Sequence, residues 1–329
     1  MLIKFWPEQT SLKFMNLRMA GIIFSVAMLA ASAFFLTTRG LNFGVDFAGG
    51  TAMEIEATDS VNETSVRAAI PFGADVNAAV GADARRIVVI KFGDAPEALL
   101  DDEFRALSPE EKVERASGAT NELVVRNLKQ KLGVTDAQIL RNDSVGPKVS
   151  QELFRDGITA LVVALALMLA YIWYRFEWQF SIGAVAALAH DVTITLGVFA
   201  FLQLEFNLTT IAALLTIIGY SMNDTVVVFD RVREEKRKYK KMADRDVIDL
   251  ALNSTLSRTL LTSGTTLLAL LAIFFLGGPV LRGMSFALIW GIVIGTYSSV
   301  FIASAIVLSL GMDLTRKPIE DTPGFQGAP

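Results

Sequence analysis

The chain has 329 residues, 52% of them hydrophobic and 19% charged, with a net charge of −4. That balance is too apolar for an ordinary soluble domain and supplies no basic patch of the kind nucleic-acid binding uses. There is no cysteine and His190 is the one histidine, which excludes disulfides, thiolate metal sites, most zinc motifs and a serine–histidine triad outside the membrane.

The first apolar run, Leu17–Leu36, is long enough for a bilayer crossing, which takes roughly 20 residues. Ala31-Ser32-Ala33 has the look of a signal-peptidase site, but the run exceeds the roughly 7–15 residues of a signal h-region, so a retained helix is predicted. Residues 39–155 then change character, with charges throughout and no long apolar run. Gly50–Thr58 alternates like a half-buried strand, and Arg86–Phe92 is rich in Ile and Val. Ser108-Pro109-Glu110-Glu111 opens a helix predicted over Pro109–Leu132, stopped by Gly133. Gln138–Leu140 begins a returning strand.

Five further spans follow: Ile158–Tyr174, Phe180–Leu202, Leu208–Phe229, Leu256–Leu276 and Met284–Leu310. The predicted fold is therefore an all-α membrane bundle of six helices with a small α+β extracytoplasmic domain between helices 1 and 2. The chain divides as 1–16 N-terminus, 17–38 helix 1, 39–155 domain, 156–310 helices 2–6 and 311–329 tail. The basic loop Asp230–Ser257 reads as a helical, partly amphipathic segment: either a charged helix on the membrane surface or a partner-docking site.

Lysine and arginine set the orientation. They crowd the N-terminus (Lys4, Lys13, Arg18), the 2–3 turn (Arg175), the 230–257 loop (Arg231 to Arg245) and the tail (Arg316, Lys317). Of the opposite turns, only the 5–6 turn has one, Arg282. Both termini are thus expected in the cytoplasm and residues 39–155 outside it.

Charges inside the spans are functional candidates, because an ionised carboxylate in the bilayer core costs several kcal/mol unless paired, hydrated or protonated. Asp224 lies in the cytoplasmic half of helix 4, and Arg258 near the cytoplasmic start of the antiparallel helix 5. Both can therefore meet at similar depth as an ion pair with one titratable member, the requirement of a proton relay. Asn223 and Ser221 extend this polar patch, and Thr262, Thr265 and Thr266 share a helix face with Arg258. Those hydroxyls would hold a water file or hydrogen-bond neighbouring helices. In helix 3, Asp191 and His190 suit either a second relay or an interhelical anchor, although neighbours on a helix need not touch. Gly291, Gly295, Ser299 and Ala303 form a small-residue seam that predicts close helix packing. Gly44–Thr51 lacks the lysine of a phosphate loop and reads as a turn into the first strand.

Five segments together carry a resemblance. They are Gly44-Val45-Asp46-Phe47-Ala48-Gly49-Gly50-Thr51, Ser144-Val145-Gly146-Pro147-Lys148-Val149, Ala189-His190-Asp191, the string from Ile218-Gly219-Tyr220-Ser221-Met222-Asn223-Asp224 to Glu235, and Ser257-Arg258-Thr259-Leu260-Leu261-Thr262-Ser263. In this order the set is similar to the SecF branch of the SecD/SecF protein-export family and covers nearly the whole chain. Ser150-Gln151 departs from the pattern, where a glycine is expected. The resemblance implies one half of a pseudo-symmetric twelve-helix unit, related in fold to the resistance–nodulation–division transporters. It implies SecD, the SecYEG channel, SecA and an unfolded preprotein as partners, proton-driven assistance of translocation, and no cofactor or enzymatic activity. Asp224 and Arg258 match that family's essential intramembrane aspartate and arginine.

Two other readings compete. A half-transporter exporting a small molecule or lipid would carry larger external domains and two fused halves. An intramembrane aspartyl protease would need Asp191 and Asp224 close together, whereas Asp224 is placed nearer the cytoplasm and beside an arginine.

Overall fold

The computed structural model describes residues 10–80 and 85–312. Lys4, Arg316 and Lys317 of the charge count, and the tail after residue 312, lie outside the described residues.

A 3-10 turn at Phe14–Asn16 leads into helix α1, Arg18–Thr38. A two-residue strand β1 (Asn42–Phe43) and a one-turn helix α2 (Val45–Ala48) follow, and strand β2 (Gly50–Glu56) then starts the domain. The domain continues through α3 (Glu63–Ala69), β3 (Asp75–Val80), β4 (Arg86–Phe92), α4 (Asp102–Arg105), α5 (Pro109–Leu132) and β5 (Ile139–Val145). Its sheet is antiparallel in the order β3-β4-β2-β5, with Met53 opposite Ile90 and Thr51 opposite both Phe92 and Ser144. Met53, Ile55, Val88 and Ile90 turn one sheet face onto Val66 of α3 and Val124 and Leu128 of α5, closing a dry core.

Helix α5 has the predicted limits. The Ser108 side chain accepts from Glu111 N–H while Glu111 returns to Ser108 N–H, so two orphan donors are satisfied reciprocally. Pro109 sits where its missing N–H costs nothing, and Gly133 closes the helix at φ 68°, a left-handed conformation that glycine adopts without strain.

Helices α6 (Pro147–Arg175) and α7 (Trp178–Leu202), a two-residue strand β6 (Glu205–Phe206), α8 (Leu208–Lys238), α9 (Asp244–Leu276), α10 (Gly278–Ser298) and α11 (Ser304–Leu310) complete the chain. Ser299–Ala303, between the last two, is a π-helical segment. With α1 these make six spans long and apolar enough to cross a membrane, α10 to α11 counting as one. The third, fourth and sixth spans are half-buried in the bundle, whereas the first, second and fifth turn most of their surface outward.

The small-residue seam closes as expected. A Cβ on Gly291 would come within 2.3 Å of Ile217 Cγ1, and one on Gly295 within 2.9 Å of Ser221 Cβ, so α8 and α10 touch almost backbone to backbone. A similar contact joins α1 to α7, where Ser32 occupies the space a side chain on Gly197 would need.

The 230–257 loop differs from expectation. It is not a separate surface helix: α8 runs on to Lys238 and α9 starts at Asp244, leaving a short turn between two extended spans. Residues 230–238 contain no glycine or proline to stop the helix. Ion pairs then consume the charges, Arg231 holding Glu235 at 2.6 Å and Lys236 reaching Asp244 at 2.5 Å. Val247, Ile248, Ala251 and Leu252 join Val228, Phe229, Val232 and Met15 in the bundle core.

Candidate functional site

Helices α7, α8 and α10 each bring polar groups to one buried layer. Asp191 of α7 is 0% exposed and accepts three hydrogen bonds. Ser221 Oγ of α8 donates at 2.5 Å and Ser298 Oγ of α10 at 2.8 Å, both to Oδ2. His190 Nδ1 lies 2.9 Å from Oδ1, so these adjacent residues do touch. With Asp191 ionised, Nδ1 carries the proton and Nε2, which is buried without a partner, is left as the bare acceptor. The His190 ring stacks on Tyr297, whose hydroxyl donates to Gly21 O at 2.6 Å and ties α10 to α1. Thr195 and Ala187, on the face shared with Asp191, are equally buried.

Asp224, one turn along α8 from Ser221, is 3% exposed, and its Oδ2 has no hydrogen-bond partner. It lies beside Thr296 of α10 and within electrostatic reach of Arg258. The expected direct ion pair is not formed: among the described residues no contact within 4.0 Å joins Asp224 to Arg258. The reason is facing, not depth. Thr255, Thr259 and Ser263 are the α9 positions turned into the bundle, whereas Arg258 and Thr262 are exposed on its outer face, as is Asn223 on α8. The α9 threonines do not make the expected interhelical bonds either. The hydroxyls of Thr262, Thr265 and Thr266 each donate to the carbonyl four residues earlier in their own helix, at 3.1, 2.8 and 2.9 Å.

Beside Asp224, Thr296 Oγ1 lies 3.0 Å from Ser263 Oγ, which also receives the Tyr220 hydroxyl at 3.4 Å. Ser263, Thr296 and Ser298 belong to the site and were not singled out from the sequence. In an apolar span a lone serine or threonine gives no signal until its neighbours in space are known.

These helices thus define a class: a multi-span membrane protein with two buried carboxylates, an outward polar face beside one of them, and a folded α+β domain between its first two spans. Comparison then gives the family. Residues 124–313 match the model described as protein export membrane protein SecD/SecF, C-terminal, and residues 34–61 match the SecD/SecF GG motif. A protein translocase subunit SecF from Cereibacter sphaeroides is 46% identical over 332 residues, covering 99% of this chain and 98% of that one. One from Vibrio alginolyticus is 43% identical over 305 residues, covering 92% and 91%. The crystal structure of SecDF, a translocon-associated membrane protein from a Thermus species, superposes with a TM-score of 0.75 at 34% identity. It covers 93% of this chain, which spans 39% of the length of that longer one. The chain belongs to the SecF branch of the SecD/SecF family of bacterial multi-pass protein-export membrane proteins.

Proposed function

We propose that this chain assists preprotein translocation as the SecF subunit of a complex with SecD, drawing on the proton motive force through Asp224. It sits in the inner membrane with both termini and the 239–243 turn in the cytoplasm and the α+β domain on the far side, in keeping with the lysine and arginine distribution. SecA and the SecYEG channel push the preprotein; the external domain meets it unfolded as it emerges. The chain itself is not an enzyme in this reading.

The observation that carries the proposal is the carboxylate oxygen of Asp224, buried in a membrane-spanning helix with no partner. A carboxylate at such a place costs about 2.5–3.5 kcal/mol and is retained where it works. The outward face beside it, with Asn223, Arg258 and Thr262, suits contact with a second six-helix half, which would also shield the Arg258 guanidinium from lipid. Protonation of Asp224 then removes the negative charge that attracts Arg258, and the two states differ in how α8 and α9 sit. One charge moving across 100 mV supplies about 2.3 kcal/mol, enough to bias two orientations of the domain differing by a few kcal/mol. Asp191 belongs to the same polar layer and, through Ser221, is the next carboxylate along the path. A lone carboxylate beside an arginine suits a proton better than a sodium ion, which needs several oxygen ligands.

The test is export of a reporter preprotein in cells whose only copy carries Asp224→Asn, with its membrane level measured. Normal accumulation with export no longer responsive to the proton gradient is the expected result. Unimpaired export would remove Asp224 from the path.

A further inference from the structure

Residues 39–50 lie where the membrane bundle meets the α+β domain, and the proton path gives them no role. Their contacts are with the turn between α7 and α8. Arg39 Nη1 donates to Phe201 O at 3.0 Å, and Asn42 Nδ2 to Gln203 O at 2.9 Å. Strand β1 then runs parallel to β6, and Gly44 N donates to Phe206 O at 2.9 Å. Gly44 has no room for a side chain, since an added Cβ would stand 2.5 Å from Glu205 Oε1.

The one-turn helix α2 next brings Asp46 back onto α8. Its Oδ2 accepts from the N–H of Leu208, the first residue of α8, at 3.0 Å. The helix's own cap, Asn207, is occupied with the Thr210 N–H at 3.1 Å. Asp46 therefore satisfies an orphan donor that local sequence leaves open, and its charge faces the positive end of the helix dipole. A second tie lies beside it: Lys91 Nζ of β4 is 2.8 Å from Glu205 Oε2. Gly49 and Gly50, at φ 74° and 101°, then carry the chain directly into β2, with Gly50 so close to Phe92 O that a Cβ would be 2.6 Å away. The two central strands of the domain are thus each attached to residues 205–208.

Helix α8 is continuous from Leu208 to Lys238 and contains Asp224, roughly 24 Å of rise from Leu208. The chain enters and leaves the domain through α1 and α6, not through α8. Among the described residues, the Asp46 bond is what joins α8 itself to the segment leading into the sheet.

We propose that Asp46, with the Lys91–Glu205 pair beside it, is the joint through which a displacement of α8 reaches the α+β domain. This deepens the reading of Asp224 above and rests on it. Asp46 is a positioning residue here. It holds the end of the moving helix to the moved domain and carries no proton.

The chain has no cysteine, so a labelled pair is unique. Spin labels at Glu110→Cys on exposed α5 and Leu202→Cys at the exposed end of α7 report the distance between domain and bundle, measured on the full chain with SecD in membranes. Asp224→Asn is expected to shift that distance distribution. In an Asp46→Ala background the shift is expected to fall about fivefold, equivalent to about 1 kcal/mol of capping. Asp46→Asn, whose Oδ1 still accepts from Leu208 N–H, is expected to keep most of it, which a loss through general loosening would not do. An undiminished shift in Asp46→Ala overturns the joint while leaving Asp224 in place. No shift from Asp224→Asn alone overturns both. Should Asp46→Ala fail to accumulate, Lys91→Met decides, an undiminished shift again counting against the joint.

Discussion

The two carboxylates buried in the bundle differ far more in their company than in their burial. Asp191 is surrounded by donors from α7, α8 and α10, and its helix face packs to completion. Asp224 is nearly as buried, yet one oxygen goes unmatched and its arginine stands off on an outward face. A carboxylate whose every lone pair is engaged has little to gain by changing state; one left short has two arrangements within reach. The pairing teaches that satisfaction, not depth, separates an anchor from a switch.

The most severe test of that contrast is Asp191→Ala, which leaves Ser221, Ser298 and His190 without their acceptor. Interhelical hydrogen bonds in membranes average about 0.6 kcal/mol and reach about 1.7, so losing three should cost about 2–3 kcal/mol. Thermal unfolding in detergent and membrane accumulation both read that loss; a normal melting curve would end the anchor reading. Ser221→Ala removes one donor and is expected to cost about 1 kcal/mol by the same assay. Asp224→Asn should fall below that, because no satisfied bond is broken, even while gradient-driven export is lost. A destabilisation matching that of Asp191→Ala would erase the distinction. Thr262→Val is the mildest change, within about 0.5 kcal/mol, since its hydroxyl serves only its own helix. Partial slowing of export is expected from it through the neighbouring Arg258, and full export would place Thr262 outside the path.

A third half-buried carboxylate extends the comparison beyond the membrane. Burial pushes the Glu54 carboxyl above the usual glutamate range of about 4.5, and Arg141 offsets this only in part. Arg141 is engaged by Asp143 as its nearest partner and stands 3.6 Å from Glu54. A raised carboxyl pKa means the folded domain prefers the protonated form. Its contribution is complete below the unfolded value and is lost as pH rises through the folded one. Thermal stability of the wild type should therefore decline more steeply across that window than in Glu54→Gln, and equal slopes would contradict the shift.

Much of this architecture is legible in the residues themselves. Six long apolar runs, the Ser108-to-Gly133 helix and the Ile- and Val-rich strand at Arg86–Phe92 carry local signals strong enough to stand alone. Strand β3 does not: Asp75–Val80 mixes alanine and asparagine, and it is extended because β4 pairs with it. Strands β1 and β6 are two residues each and exist only by pairing with one another. The members of the polar layer follow the same division. Asp191, Asp224 and Arg258 stand out because charges in apolar spans are expensive, but which way each faces is a property of the assembled bundle. That is why the Asp224–Arg258 contact expected from depth alone is not made, while the His190–Asp191 contact is.

The π-helical segment Ser299–Ala303 bears on what insertions and deletions this fold can tolerate. Its wider turn lets Ser298 and Ser299 on one side, and Ser304, Ala305 and Val307 on the other, all face inward from one span. There Ser304 Oγ reaches the carbonyl five residues back at 2.9 Å, and the following turn nests against Gly183 of α7. Deleting a single residue within the segment would restore a regular helix and rotate everything beyond it by about 100°. Small side chains would then point at lipid and Leu308 would swing toward the gap at Gly183. The sixth span therefore counts residues, and a one-residue frame change there would unseat its end more thoroughly than any single side-chain replacement.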